Sequence, residues 1–130
     1  MSQENLEAVR ALYEQFSRGD FSAIERFGDD FEFVTSPDVP DAGTYRGEAA
    51  RRWVRAWVGS FEQLVVEPMT ILDAGDKVAV EIVQRGRPRG STADVEGRWW
   101  FVHTLHDGTP IRTEGFPDRA QALEAAGLRE

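Results

Sequence analysis

The chain has 130 residues, 41% hydrophobic and 29% charged, with a formal net charge of −8 and no cysteine. That length suits one domain, 1–130, with a real core. The missing cysteines exclude disulfides, thiolate metal sites and cysteine nucleophiles, and the acidic balance disfavours nucleic acid and anionic lipid as partners.

The opening "MSQENLEAVR" lacks the basic-then-apolar layout of a secretory signal, and no apolar run reaches the ~18 residues of a membrane span. A cytoplasmic location is therefore expected, with no membrane partner. Residues 3–18 follow the i, i+3, i+4, i+7 spacing of an amphipathic helix through Leu6, Val9, Leu12, Tyr13 and Phe16, with Ser2 as its cap. Gly19 supplies a left-handed stop, and Asp20 caps a short helix, 21–27, that buries Phe21, Ile24 and Phe27. "FEFVT" (31–35) reads as a strand and "SPDVPDAG" as a loop, and "SPDVPD" with "RGE" reads as a flap over a pocket mouth. Asp38 and Asp41 on that loop read as solvated. A third helix, 47–60, carries Ala50, Trp53 and Trp57 (or Val54 and Val58) as its apolar stripe.

The second half is mostly strand. "QLVVEPMTIL" is followed by the turn "DAGD" (73–76) and by "KVAVEIVQ", in which Val78, Val80 and Ile82 alternate. "RGRPRG" (85–90) has the core of a minor-groove peptide. A single copy between two strands of an acidic chain is better read as a turn. Then come "ADVEGRWWFVHTL", the turn "HDGTP", "IRTEGF", and a helix starting at Asp118 that turns Ala122 and Leu123 inward and stops at Gly127. The order is α+β: three helices in the N-terminal half and a short C-terminal helix, packed on a curved antiparallel sheet that leaves a conical hollow.

"LYEQFSRGDFSAIERFGDDFEFVTSP", "YRGEAARRWVRAW" and "HTLHDGTPIRTEGFPDRAQALEAAGL" together resemble the SnoaL-like branch of the nuclear transport factor 2-like superfamily. The resemblance covers essentially the whole chain. It implies a cone-shaped fold, usually a homodimer, with a mostly apolar pocket at the open end. Polyketide cyclases, ketosteroid isomerases and limonene epoxide hydrolases share the fold, so function has to be argued from the site. The resemblance matches the isomerases' base aspartate to Ser36 and their oxyanion-hole acid to Phe101, and their tyrosine falls at or next to Leu12, with Tyr13 one place off. The corresponding epoxide hydrolases use an aspartate–arginine–aspartate set. The nearest material here is Asp94, Glu96, Arg98 and Glu81, and pairing of Glu81 with Arg98 on a solvated face is the simpler reading.

Alternation along the long strand puts Trp99, Phe101, His103 and Leu105 on one face, and Trp100, Val102, Thr104 and His106 on the other. The His103 face is the candidate pocket wall, and the Trp100–Val102 face the candidate homodimer surface. A reversed register would instead bring Glu96 and Arg98 into the pocket. The two histidines lie on opposite faces, so no histidine metal site is expected, and no cofactor signature is visible.

The candidate cavity residues are Tyr13, Phe33, Trp53, Trp57, Trp99, Phe101 and His103. His103, with an ordinary pKa near 6.5, is the candidate general acid/base. Its structural alternative is a histidine held by a hydroxyl such as that of Tyr13 or Tyr45. Three readings follow: a binding domain for a hydrophobic small molecule, a cofactor-free isomerase, cyclase or hydratase acting through His103, and a dimerising module whose cavity is filled by side chains. A carboxylate or tyrosine hydroxyl within reach of His103 favours the second.

Overall fold

The structure is a computed structural model that describes residues 2–129. Helix α1 (Ser2–Phe16) buries Val9, Leu12, Tyr13 and Phe16 along the predicted stripe. The helix already includes Ser2, which is therefore not its cap. The left-handed Gly19 stops α1, and the Asp20 carboxylate accepts hydrogen bonds from the backbone N–H and hydroxyl of Ser22. These bonds hold the Asp20 carboxyl below its ordinary pKa and start a tight 3-10 helix, Ser22–Arg26, that buries Ile24.

Strand β1 (Glu32–Val34) pairs with β2 (Thr44–Arg46), a short strand the sequence pattern does not announce. Helix α2 (Glu48–Gly59) follows at once. Gly47 makes that junction possible. Its φ is +56°, and a Cβ there would lie 2.7 Å from the Asp29 carbonyl oxygen, so only glycine fits.

Strands β3 (Phe61–Ala74), β4 (Lys77–Pro88), β5 (Val95–His106) and β6 (Thr109–Phe116) form an antiparallel meander. The whole six-stranded sheet runs β2-β1-β6-β5-β4-β3. It is mixed rather than purely antiparallel, because β1 lies parallel to β6. Asp107 and Gly108, both at positive φ, make the two-residue β5–β6 turn. The "RGRP" segment is strand, not turn. Arg85 pairs with both neighbours, and Pro88 lies beyond the last β5 partner, where its missing N–H breaks no bond on that side.

The fold is the expected α+β cone architecture, but its helices do not share one side. Helix α1 and the 3-10 helix pack on the sheet face of Val78, Val80 and Ile82, and α2 adds Trp53 and Val54 beside Phe33 and Phe101. Helix α3 (Arg119–Ala126), capped by Asp118 and ended by a left-handed Gly127, packs on the opposite face through Ala122 and Ala126. It covers Ala79, Trp100 and Val102 there, and the Arg119 guanidinium sits 5.4 Å from the Trp100 ring centroid. This corrects the expected dimer surface: Trp100 (4% exposed) and Val102 (0%) are buried by the chain's own last helix. Both faces of β5 are bulky because each meets a helix layer of the same chain. Among the described residues, no helix is long and apolar enough to cross a membrane.

Candidate functional site

Between the sheet and the N-terminal helices lies a cavity of about 260 Å³. All seven residues read from the sequence border it: Tyr13 from α1, Phe33 from β1, Trp53 and Trp57 from α2, and Trp99, Phe101 and His103 from β5. The tryptophans surround the hollow rather than fill it. Trp53 and Trp57, one helical turn apart, stack with ring centroids 5.8 Å apart and planes within 8°. Phe33 meets the edge of Trp53 at 5.1 Å, which fixes the orientation of this aromatic wall.

His103 is 3% exposed. Its Nε2 lies 2.7 Å from the Tyr13 hydroxyl, and its Nδ1 lies 2.8 Å from Thr113 Oγ1, across the strand pair. Burial, with no carboxylate against the ring, pushes the imidazole pKa down to about 4 and raises that of the Tyr13 phenol. The group is therefore neutral near pH 7. A neutral imidazole has one N–H and one acceptor nitrogen. The three groups together carry three protons and form two mutual hydrogen bonds, so one hydroxyl proton, on Tyr13 or on Thr113, is left to donate elsewhere. Tyr45, the other proposed partner, instead donates to the Asp41 carbonyl.

Of the positions that the resemblance matches to isomerase groups, Ser36 and Phe101 border the cavity without an ionisable group, and on α1 both Leu12 and Tyr13 border it. Asp38 is the one carboxylate among the lining residues, on the exposed loop that borders the cavity with Ser36 and Val39. Both ends of that loop are tied: Thr35 accepts from the Gly43 N–H through its hydroxyl, and its own N–H donates to the Gly43 carbonyl.

The epoxide-hydrolase-like set does not assemble. Glu96 and Glu67 both pair with Arg85, and Glu81 accepts from Thr70. The Glu81–Arg98 pair is absent because the register sets Glu81 opposite Trp100 and Arg98 opposite Val83. Arg98 alone of that set borders the cavity, and it is exposed. Among the described residues, no three His, Cys, Asp or Glu side chains gather as a metal site.

Among the cavity residues beyond the seven read from the sequence, two polar ones shape the site, Thr113 and Gln84. Thr113 closes the His103 chain. Gln84 borders the cavity and its Oε1 accepts from Trp57 Nε1–H at 3.0 Å. The signal was present in both cases: each polar residue falls on the apolar register of its strand, Gln84 after Val80 and Ile82, and Thr113 opposite His103.

No curated protein matches the chain in sequence. Solved structures match its fold at low identity. A protein of ketosteroid isomerase-like fold from Catenulispora acidiphila, solved with trimethylamine, is 18% identical over 95% of this chain and 94% of its own, with a TM-score of 0.69. A candidate SnoaL-like polyketide cyclase from Jannaschia sp. CCS1 is 20% identical over 98% and 94%, with a TM-score of 0.72. AclR from Streptomyces galilaeus is 15% identical over 98% of both chains, with a TM-score of 0.74. The sequence model of the SnoaL-like domain matches residues 9–112, so the chain belongs to the SnoaL-like domain family.

Proposed function

We propose that this protein binds a compact, largely apolar small molecule in the cavity without converting it. The observation that supports this most directly is the state of His103: neutral, desolvated, and engaged at both ring nitrogens by hydroxyls. A general base acting near pH 7 needs a pKa close to that pH, and burial holds that of His103 at about 4. The cavity, at about 260 Å³, lies just below the ~300–1,000 Å³ of pockets that enclose drug-sized ligands, which favours a small ligand. Its complex with trimethylamine shows that the Catenulispora relative takes a small molecule. We further propose that the chain acts in the cytoplasm as a homodimer. The dimer would form through the part of the outer sheet face that α3 leaves open, around Thr70, Glu81 and Arg85.

The Tyr13–His103 bond favours a second reading, a cofactor-free isomerase, cyclase or hydratase. In it His103 would exchange a proton with substrate through the Tyr13 hydroxyl. A thermal-shift screen against polycyclic ketones, terpenoid epoxides and fatty acids separates the two. A ligand at a hundredfold its Kd stabilises by about 2.7 kcal/mol, raising Tm by about 10 °C in a domain of this size. Recovery of that ligand unchanged after long incubation supports binding. Conversion by wild type but not by His103→Ala supports the enzyme. No shift with any class, with His103→Ala less stable than wild type, favours a structural histidine and removes both readings for these ligand classes.

A further inference from the structure

The cavity contains a buried polar group that the protein itself leaves unsatisfied. Gln84 is 6% exposed, on β4 between β3 and β5, with its side chain on the cavity face. The indole N–H of Trp57 can only donate, so its bond fixes Oε1 of Gln84 toward α2 and turns Nε2 the other way. Nε2 carries two N–H donors, and neither has a partner in the protein. Nor is Nε2 among the sealed, unpartnered atoms of the interior, which places it against open space. A donor that faces the open space of the cavity is available to whatever occupies it.

Its surroundings keep that donor available. Gln84 has two cross-strand neighbours, Val66 on β3, which can only make apolar contact with the amide, and Gly97 on β5, which offers no side chain to cover it. The Trp99 ring occupies the space over Gly97, where a Cβ would come within 2.9 Å of it. The amide therefore stands in an aromatic wall built from Trp57 and Trp99. The unpaired groups at this point are donors, which select a ligand atom that accepts. A carboxylate would be desolvated here without a buried cation beside it, because Arg98, the one cation bordering the cavity among the described residues, is exposed.

Building on the binding reading above, we propose that Gln84 is the specificity-determining residue of the cavity: its side-chain amide, aimed by Trp57, donates to a neutral carbonyl oxygen on an otherwise apolar ligand. The Trp57 bond makes this a pre-oriented donor, so little ordering is lost when the ligand arrives. A ligand of the same shape without the oxygen leaves both N–H groups buried and unpaired, and is rejected for that reason.

A matched pair of probes tests this: 2-acetylnaphthalene, and 2-isopropenylnaphthalene, in which a methylene replaces the carbonyl oxygen. Both are titrated calorimetrically into full-length wild type, Gln84→Met and Gln84→Leu, with each variant's melting curve confirming its fold. The expected result is a preference of about tenfold for the ketone in wild type, falling to within about twofold in both variants, with alkene binding retained. Equal binding of the two probes by wild type overturns the proposal without needing either variant, and leaves the binding reading intact. A ketone preference that survives in a folded variant overturns it as well. Binding of neither probe to wild type removes the binding reading for this ligand class, and this proposal with it.

Discussion

His103 makes the stability of the protein depend on pH in a way that can be isolated. In the unfolded chain the imidazole titrates near 6.5; in the fold, burial lowers its pKa to about 4. Between those values the unfolded state binds the proton and the native state does not. Stability therefore falls as pH drops below about 6.5, and this loss levels off below about 4. From these two pKa values the native state is weaker at pH 5 than at pH 7 by about 2 kcal/mol, and by about 3 kcal/mol once the native imidazole also protonates. Urea unfolding of wild type and His103→Gln at pH 7, 6 and 5 measures it. The amide of the variant can still bond Tyr13 and Thr113 but does not titrate, and every other ionisable group is common to both proteins. The difference between the two curves should shrink by about 2 kcal/mol in favour of the variant from pH 7 to pH 5. Parallel curves would refute the argument, since they would mean that His103 is solvated or charge-paired in the fold.

Tyr13→Phe should destabilise by about 1–3 kcal/mol in urea, because it leaves a buried imidazole nitrogen unpaired. With the phenol pKa raised by burial, wild type should also lose stability above pH 10 more steeply than this variant. Gly47→Ala should cost about 1–3 kcal/mol, from strain at φ +56° and the 2.7 Å contact with the Asp29 carbonyl; a melting temperature equal to wild type would contradict it. Trp100→Ala should cost about 3–5 kcal/mol by undercutting α3, and circular dichroism should show whether that helix is lost with it.

The cavity wall was legible in the sequence because strand alternation is a strict rule. Once β5 is a strand, Trp99, Phe101 and His103 must share a face, and the helical spacing of Tyr13 and of Trp53 with Trp57 points them inward. What sets the far side of the sheet was not legible. Helix α3 buries mostly alanines, so its sequence carries no strong apolar stripe, and Trp100 and Val102 looked like a surface awaiting another chain. Strand β2 is three residues of mixed exposure, too short for a pattern, and the parallel β1–β6 pairing joins segments about eighty positions apart. Gln84 was passed over because a polar residue at the end of an apolar run reads as the strand leaving the core. In the structure β4 continues to Pro88, and the residue remains inside.

The same arrangement that keeps His103 neutral also narrows what the cavity can ask of a ligand. A base working near neutral pH would need a carboxylate at the ring to offset burial, and Ser36 and Phe101, which the resemblance matches to the isomerases' carboxylic acids, border the cavity without one. Hydroxyl partners satisfy the ring without raising its pKa. They leave one spare O–H at the Tyr13–His103–Thr113 chain, while Gln84 contributes two N–H donors six strand positions away, roughly 20 Å along the backbone. Donors at both ends of an aromatic wall distinguish ligands by where their acceptor oxygens lie, which requires neither a charged group nor a proton transfer. On that account, replacing Gln84 changes which ligand is held, whereas replacing His103 first changes how well the protein folds at low pH.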